Sequence, residues 1–519
     1  MSRVIVIGGG IAGLASAGLL AREGHEVTVL EGRPAVGGRA GSWEHDGFRF
    51  DTGPSWYLMP EVFDHFYKLM GTSADEQLAL VTLDPGYRVY FEGVEQPLDI
   101  SSEVEDNIAL FEDIEKGAGA RLVSYLESAK STYEMAKAKF LYTTFADLRP
   151  LMTRDVLSQA ARFVKLLLEP LSTFVRHRFK DNRLRQILGY PAVFLGSSPF
   201  LTPSMYHLMS HLDLEDGVLY PMGGFTRVIE SIADLATAHG VTIITHAEVR
   251  RIVVENGRAT GVEYVDGANA VQFLDADLVV SAADLHHTET ELLDADERTY
   301  PQEYWDMKVP GPSALLLYLG VRGALPELEH HTLLFTREWE KGFDAIFGDV
   351  TSVPSPASLY VCKPSGVDPD VAPDGFENLF VLVPIPADPT IGRGDTDGDG
   401  DTRIEVLADK VIAQIAEWTG IPDLASRVTV RRTVGPGNFS DELHAWRGTA
   451  LGPAHTLKQS AFFRAGNVSK KVKGLYYVGG STIPGIGLPM CLISAELLVK
   501  RLRGDTSTGP LPEPLTPVA

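Results

Sequence analysis

The stretch that decides the fold stands at the N-terminus, where residues 1–40 read MSRVIVIGGGIAGLASAGLLAREGHEVTVLEGRPAVGGRA. Residues 4–7 form a β-branched run typical of a strand, and the Ala- and Leu-rich segment that follows is typical of a helix as far as Glu23. A second strand is predicted over residues 26–30 and ends at Glu31. The order strand, GxGxxG, helix, strand, acid predicts a dinucleotide site inside a βαβ unit.

Each glycine of this motif has a physical role. Gly8 allows the tight turn after the strand, Gly10 lets the backbone approach a pyrophosphate, and Gly13 lets the helix pack closely on the strand. The free N–H groups at the start of the helix, with its positive dipole end, suit the phosphates. Glu31 follows Gly13 by 18 residues and is placed for the ribose hydroxyls. We therefore assign these four residues to cofactor binding.

Two long uncharged runs raise the alternative of a targeting or membrane segment. Residues 4–21 follow Arg3 and could belong to a signal peptide or a short span, but three consecutive glycines and the strand after Gly24 argue against both. Residues 474–495 contain five glycines and two prolines, and a lipid-exposed helix with so many breakers would leave backbone groups unpaired. The sequence therefore predicts no integral membrane anchor.

Size, charge and cysteine content limit the functional classes. A chain of 519 residues can bury a large core and should hold two or three domains. The net charge of −23 argues against nucleic acid as a partner, because binding to phosphates requires a basic surface. The two cysteines, Cys362 and Cys491, offer neither metal-ligand spacing nor a disulfide framework. The sequence predicts no metal site, and a reducing cytoplasm as the location.

A second glycine motif and a turn bring the first resemblance to a family. The triplet Gly37-Gly38-Arg39 supplies a flexible turn and a permanent cation suited to phosphate, and residues 51–55, Asp-Thr-Gly-Pro-Ser, are predicted to return to the cofactor. With Glu31, these motifs resemble the flavin-binding start of the amine-oxidase-like FAD superfamily, and within it the bacterial phytoene desaturases. The resemblance implies FAD rather than NAD and adds Ser55 to the cofactor-binding residues.

The resemblance extends from about residue 3 to residue 502. Residues 219–224, Leu-Tyr-Pro-Met-Gly-Gly, are similar to carotenoid desaturases in particular. The resemblance further implies that Val249 contacts the adenine through its backbone, and that Gly480 and Met490 belong to a closing motif that holds the flavin edge. A helix N-terminus at that motif would stabilise negative charge on the reduced ring.

The predicted fold class is α/β, with a discontinuous Rossmann-like FAD-binding domain, a mixed α+β substrate domain and a helical insert. The boundaries follow the motifs and the change from alternating to helical periodicity. We predict the FAD-binding domain at 1–75, 217–290 and 433–502, the substrate domain at 76–100 and 291–432, the membrane-associating insert at 101–216, and a disordered tail at 503–519.

The helical insert departs from the acidic character of the chain. Between Met135 and Arg185, eleven basic and four acidic residues give a net charge of +7, and aromatic and aliphatic residues lie between them. This pattern suits an anionic membrane surface, with cations at the headgroups and apolar side chains below. A helix pair that packs on the core and exposes a basic side is the alternative. The basic residues are Lys137, Lys139, Arg149, Arg154, Arg162, Lys165, Arg176, Arg178, Lys180, Arg183 and Arg185.

The resemblance also implies a reaction. Two hydrogens would leave an allylic CH2–CH2 unit of an acyclic C40 carotene, phytoene toward lycopene, with hydride passing to the flavin and electrons leaving to quinone or oxygen. Because the allylic cation is delocalised, no strong base is required, and we assign no catalytic residue. His207, His211 and Glu496 are available; the two histidines lack the intervening Glu of a zinc motif, so packing or pocket lining explains them better than metal binding.

The chemistry of the substrate favours an enzyme that acts at a membrane surface. A C40 hydrocarbon already dissolved in lipid gains little hydrophobic free energy by entering an apolar tunnel, so delivery depends on docking at the bilayer. We therefore predict a cytoplasmic enzyme that associates peripherally with the membrane. The alternatives are a carotenoid isomerase, ketolase or later-step desaturase of the same fold, or a non-catalytic prenyl-binding protein, such as the Rab GDP-dissociation inhibitors.

Overall fold

A computed structural model describes residues 1–147, Arg149 and residues 160–517. Its strands are β1 (Arg3–Ile7), β2 (Glu26–Leu30), β3 (Ser42–His45), β4 (Phe48–Asp51), β5 (Leu80–Thr82), β6 (Tyr87–Phe91), β7 (Leu98–Ile100), β8 (Leu219–Pro221), β9 (Thr242–Ile244), β10 (Glu248–Glu255), β11 (Arg258–Val265), β12 (Val271–Asp275), β13 (Leu278–Ser281), β14 (Ser313–Arg322), β15 (His331–Phe335), β16 (Leu359–Cys362), β17 (Phe376–Ile385), β18 (Val428–Val434) and β19 (Leu475–Tyr477).

The α-helices alternate with these strands in the outer parts of the chain and cluster in the middle. They are α1 (Ile11–Arg22), α2 (Pro60–Leu69), α3 (Ala74–Gln77), α4 (Val104–Ile114), α5 (Ala118–Ala136), α6 (Ala160–Leu168), α7 (Leu171–Arg176), α8 (Asn182–Gly189), α9 (Met209–Leu214), α10 (Gly224–Ala238), α11 (Leu285–Glu291), α12 (Gln302–Asp306), α13 (Trp339–Phe347), α14 (Thr402–Thr419), α15 (Leu424–Arg427), α16 (Pro436–Leu443) and α17 (Leu488–Arg503).

The N-terminal motif forms the centre of a parallel sheet. Its strand order is β19–β13–β1–β2–β9, and every neighbouring pair is parallel. Alternate residues of β1 face two layers: Val4 and Val6 pack with α1, α10 and α17, whereas Ile5 and Ile7 pack against β10 and β11. Burial on both faces explains why β1 reads as a continuous apolar run. The sheet takes strands from three separate parts of the chain, so the Rossmann-like domain is discontinuous, as predicted.

A larger mixed sheet forms the other half of the molecule. Its order is β18–β14–β17–β16–β15–β6–β7, with β15 and β6 the parallel pair. Along β14, Leu315, Leu317 and Leu319 pack with the helix α14, whereas Leu316 and Tyr318 pack with the β3–β4 hairpin on the opposite face. The period of two therefore places this sheet between a helix and the segment that returns from the glycine motifs.

Helices α4 to α9 form the insert predicted from the sequence. A π-helical turn over Lys137–Leu141 extends α5, and a cluster of buried residues joins α4, α5, α7 and α8 to β6 and β15. Residues 148 and 150–159, which include Arg154 of the basic series, lie outside the described residues. Within the described part of the chain, no helix combines the length and the apolar character that crossing a membrane requires.

The C-terminal tail departs from the sequence prediction of disorder. Leu511 and Leu515 are buried in the core cluster that contains α2 and α17. The Lys500 ammonium donates to the carbonyls of Ser507 and Gly509, at 2.8 Å and 2.6 Å. The predicted disorder of residues 503–517 is therefore wrong, because two leucines and the carbonyls that Lys500 requires outweigh a polar, proline-rich composition. Residues 518–519 lie outside the described residues.

Candidate active site

A single cavity of about 940 Å³ runs between the two sheets and into the helical insert. Its walls bring together residues that are hundreds of positions apart in the sequence. Gly13 is the one predicted cofactor residue that does not line it. The predicted residues that do are Gly8, Gly10, Glu31, Gly37, Gly38, Arg39, Ser55, Val249, Gly480 and Met490.

The two glycine motifs lie side by side at one end of this cavity. The N–H of Gly37 donates to the carbonyl of Gly9 at 2.8 Å. A Cβ added to Gly10 would meet no atom closer than the Cα of Gly38, 4.0 Å away, so the backbone here faces open space. A Cβ at Gly13 would lie 2.0 Å from the carbonyl oxygen of Gly8, which forbids any side chain. Gly13 thus serves the packing of α1, while the other glycines form a wall.

Glu31 ends β2 beside this wall and is buried. Its Oε2 accepts from the N–H of Gly9 at 2.7 Å, and its Oε1 accepts from the N–H of Arg33 at 2.9 Å. The carboxylate therefore fixes the glycine loop and the segment after β2 at the same time. A charged acceptor that already holds backbone donors is also oriented for hydroxyl groups in the cavity.

The Arg39 guanidinium forms a long ion pair with Asp284 and supplies donors that lack hydrogen-bond partners among the described residues. Its Nε and Nη2 are buried and make no hydrogen bond, and neither does Oδ2 of Asp284, which lies 3.8 Å from Nη2. Buried polar groups are normally satisfied, so such donors at a glycine wall indicate an anionic ligand. A diphosphate meets this requirement, and the residues present fit a flavin adenine dinucleotide.

The closing motif also lines this cavity. Gly480 lies in the loop that leads from β19, and Met490 lies in the first turn of α17, where N–H groups have no partner within the helix. The positive end of the α17 dipole therefore faces the cavity. Val249, in β10, contributes a buried position on the remaining side.

Arg464, which sequence reasoning missed, supports this loop from behind. Its guanidinium donates to the backbone carbonyls of Gly480, Thr482 and Gln459. Among the described residues, no carboxylate lies within 4 Å of it. Burial lowers the pKa of Arg464 to about 10, so the group stays charged at neutral pH. Arg464 and the α17 N-terminus together create a positive potential at the closing loop.

The other end of the cavity is apolar. Tyr133 and Ala136 of α5 line one branch, and residues of α13 line another. The carboxylates on the described walls belong to Glu31, Glu248, Asp284, Asp441 and Glu442, which lie at or near the cofactor end. The apolar wall is completed by Leu141, Leu208, Met209, Leu212, Val193, Phe194, Trp339, Phe343 and Ile346.

A chain of hydrogen bonds leads from the cavity wall into the larger sheet. Ser55 and Tyr360 line the cavity, and their hydroxyl oxygens are 2.7 Å apart. The Tyr360 hydroxyl lies 2.6 Å from Nδ1 of His331, whose ring stacks on Trp56 with 4.2 Å between centroids. Burial holds the pKa of His331 well below its ordinary value, so this imidazole is neutral.

The three titratable residues available from the sequence lie elsewhere. His207 contacts the carbonyl of Ser204 and the hydroxyl of Ser128, and burial lowers its pKa to about 4. His211 lies 2.7 Å from Glu215, and Glu496 lies 2.9 Å from His65. None of the three lines the cavity. His207 and Glu496 join separate helices, and His211 pairs with a residue one turn away, in keeping with the packing interpretation.

The family is shown by comparison with known proteins. The family described as flavin containing amine oxidoreductase matches residues 11–502. The chain belongs to this family. Membership confirms the prediction of FAD as the cofactor and makes the protein an FAD-dependent oxidoreductase.

Individual relatives of this flavin oxidoreductase extend over nearly its whole length. It is 43% identical to the carotenoid 3,4-desaturase of Haloarcula japonica, over 97% of this chain and 98% of that protein. It is 33% identical to the zeta-carotene-forming phytoene desaturase of Myxococcus xanthus, over 96% and 93%. The structure of cyclohexylamine oxidase from Brevibacterium oxydans has a TM-score of 0.56 at 14% identity, covering 97% and 99%, which shows the shared fold alone.

Proposed function

We propose that this oxidoreductase desaturates an acyclic C40 carotene at the flavin. The observation that carries the proposal is the single cavity, which joins a dinucleotide-binding wall to apolar branches lined by α5 and α13. A hydrocarbon has no hydrogen-bonding groups, so the shape of the cavity and apolar contacts must hold it. The carotenoid desaturases among the relatives support the same reaction class.

The reaction converts a CH2–CH2 unit into CH=CH. When bound, FAD supplies the acceptor for one hydrogen as hydride, and the second hydrogen leaves as a proton. The glycine walls orient the cofactor, and Arg464 with the α17 N-terminus favours negative charge there. The apolar branches exclude water and position the carotene. A weak proton acceptor suffices, and the Ser55 hydroxyl, hydrogen-bonded through Tyr360 to neutral His331, is one on the wall.

The position of the new double bond divides two candidates. The higher identity to the Haloarcula japonica protein favours desaturation at carbons 3 and 4, near the end of the chain, which is a later step. The conversion of phytoene toward lycopene, predicted from the sequence, is the second candidate and is supported by the identity to a phytoene desaturase. Both reactions need the same cavity, and they differ in how far the carotene must enter it.

We also infer peripheral attachment to an anionic, cytoplasmic membrane surface. Val164 and Leu168 lie one turn apart on α6 and are exposed, at 53% and 67%. Lys165 lies between them, and Arg176 is exposed at the end of the next helix. Exposed apolar side chains with cations beside them suit the headgroup region of a bilayer. Quinone dissolved in that bilayer, or oxygen, would then remove the electrons.

The deciding experiment incubates the FAD-loaded enzyme with liposomes that contain either phytoene or lycopene. Each desaturation removes two hydrogens and lengthens the conjugated system, so mass and absorbance identify the step. A dehydro product from lycopene supports 3,4-desaturation, whereas turnover of phytoene alone favours the second candidate. No product from either substrate, with the flavin spectrum intact, would overturn carotene desaturation. A protein that shows no flavin absorbance after addition of FAD would instead revive the prenyl-binding alternative.

A further inference from the structure

Three side chains of metal-binding type meet behind the wall that carries Ser55 and Trp56. His331 opens β15 and lies opposite Cys362, the last residue of β16, in the antiparallel register. His330 immediately precedes β15, and its ring centroid is 4.6 Å from that of His331. One donor atom from each of the three residues lies within 4.8 Å of the others, and all three residues are buried.

The histidine nitrogens of this cluster lack partners among the described residues. Both ring nitrogens of His330 and Nε2 of His331 make no hydrogen bond. A buried polar group left unpaired destabilises the folded state, so native structures rarely contain three in one place. Nδ1 of His331 is held by the Tyr360 hydroxyl, which leaves Nε2 as its free ligand atom. This is the arrangement by which an outer hydrogen bond orients a metal-binding imidazole.

We propose that His330, His331 and Cys362 bind a divalent cation of the zinc class. Two imidazole nitrogens and a thiolate are the donors that zinc prefers, and their small number leaves a fourth position. A separate internal cavity of about 10 Å³, lined in part by Cys362, Asp51 and Ser55, lies beside the sulfur. This volume suits about one water molecule, which would complete a tetrahedral set.

The charges around the cluster are compatible with a cation. Because the thiolate is the form that binds a metal, binding must release the thiol proton of Cys362 to solvent. Lys363 faces His330 with a positive charge that opposes a cation. The carboxylates of Asp368 and Asp51, which face His330 and Cys362, act in the opposite direction. With one thiolate as ligand, a zinc ion keeps a single positive charge, and Lys363 adds a second. The two carboxylates offset both.

The bound ion would brace the wall of the active-site cavity. It would join β15 to β16 and hold the His331 ring, which stacks on Trp56 and reaches Ser55 through Tyr360. Zinc has no redox chemistry of its own, so electron transfer stays with the flavin. The sequence does not reveal the site, because Cys362 lies 31 positions after His331 and only the register of the two strands brings them together.

The two cysteines of the chain provide a matched control for the test. We expect about one zinc per wild-type chain, measured by elemental analysis of tag-free, FAD-loaded enzyme after incubation with zinc and removal of the excess. The same amount should remain in Cys491→Ser, and at least tenfold less in Cys362→Ser and His330→Gln. Replacement with Co²⁺ should give a thiolate charge-transfer band in the near ultraviolet that Cys362→Ser abolishes and Cys491→Ser leaves unchanged.

The wild-type protein alone keeps the proposal falsifiable if a variant fails to fold. A wild type that takes up less than a tenth of an equivalent of zinc or cobalt, with its flavin spectrum intact, would overturn it. Full retention of metal by folded Cys362→Ser would overturn it as well. Zinc should raise the melting temperature of the wild type and of Cys491→Ser, but not that of Cys362→Ser. None of these readouts depends on the identity of the substrate.

Discussion

The carboxylate of Glu31 accepts a hydrogen bond from the backbone N–H of Gly9 over 2.7 Å, across 22 positions of sequence. A second bond, from the N–H of Arg33, occupies its other oxygen. The residue that the fingerprint assigns to the ribose therefore also shapes the glycine loop. Loss of the carboxylate removes a cofactor contact and loosens the wall against which the cofactor lies.

Replacement of Glu31 by Ala should weaken FAD binding at least tenfold. Hydrogen bonds to charged groups contribute about 1.5–3 kcal/mol each, and about 1.4 kcal/mol corresponds to a factor of ten. Titration of the apoprotein with FAD, followed by flavin fluorescence, measures the change. Glu26→Ala is the control, because Glu26 is exposed on the same strand. An unchanged affinity in Glu31→Ala would refute the ribose assignment.

Arg464→Gln should lower the reduction potential of the bound flavin. The substitution removes the buried charge behind the closing loop while it retains hydrogen-bonding capacity toward the Gly480 carbonyl. If reduced flavin binds at least tenfold less well relative to oxidised flavin, the potential falls by about 30 mV or more for two electrons. A dye-coupled reductive titration gives this value. Arg464→Lys keeps the charge and should restore most of the potential; equal potentials in all three proteins would show that Arg464 is only a packing residue.

The difference between what sequence predicts and what it misses is one of distance along the chain. Gly8, Gly10 and Glu31 belong to one βαβ unit, so their spacing alone is enough to group them, and all three line the same cavity. Arg464 and the His331–Cys362 cluster depend on contacts between remote segments, and no local period marks them. Gly13 lies in the motif yet serves only helix packing, since its Cβ would strike Gly8. The sequence therefore predicts site residues that lie close together along the chain. It does not predict those that only the tertiary fold brings together.

The same limit applies to the basic insert and to the tail. The sequence shows the excess of basic residues in the insert, but not which of them can reach lipid headgroups. Arg178 and Arg185 donate to the backbone carbonyls of Phe174 and Phe179 and are therefore not free to bind headgroups. The tail is polar and proline-rich, yet two buried leucines anchor it to the core. Composition therefore indicates the average tendency of a segment toward order or exposure, whereas the contacts of single apolar or charged residues decide its structure.

Gly342→Phe should block the cavity branch along α13. Gly342 lines the cavity, and a Cβ placed there would meet no atom within 4 Å, so a phenyl group would enter open space. We expect kcat/KM for a C40 carotene to fall at least tenfold, with FAD content unchanged. Gly342→Ala is the control and should stabilise the fold by about 0.5–1 kcal/mol, because glycine disfavours a helix interior. Normal turnover by Gly342→Phe would exclude this branch as the substrate path.

Charge reversal at exposed cations tests the membrane surface. Lys165, Arg176 and Lys180 are exposed on the insert. Each basic residue near an anionic leaflet contributes about 1 kcal/mol, so reversing all three to Glu should reduce partitioning onto anionic liposomes at least tenfold. Sedimentation with liposomes of increasing anionic content measures it. A matched triple reversal at three exposed cations elsewhere should have little effect; equal losses in both variants would contradict docking through the insert. The control positions are Arg403, Lys410 and Lys471.

Asp213, in the insert, makes the stability of the folded protein depend on pH. This buried residue of α9 accepts from the hydroxyls of Tyr190 and Tyr87, at 3.0 Å and 3.3 Å, while its Oδ1 has no partner among the described residues. Burial raises its pKa to about 7. Between about pH 4 and pH 7, the native state therefore keeps a proton that the unfolded chain has released. Its contribution to stability falls as the pH rises through this window and is lowest above pH 7.

Asp213→Asn should therefore reduce the loss of stability between pH 5 and pH 8. Asparagine cannot ionise, so the part of the pH dependence that comes from this site disappears. This part is at most about 3 kcal/mol, because about two pH units lie between pH 5 and the pKa of about 7, at about 1.4 kcal/mol per unit. Melting temperatures of the FAD-saturated proteins at both pH values measure the difference. Asp234→Asn serves as the control, because Asp234 is exposed on α10. A pH dependence identical to that of the wild type would show that Asp213 is already ionised in the folded protein.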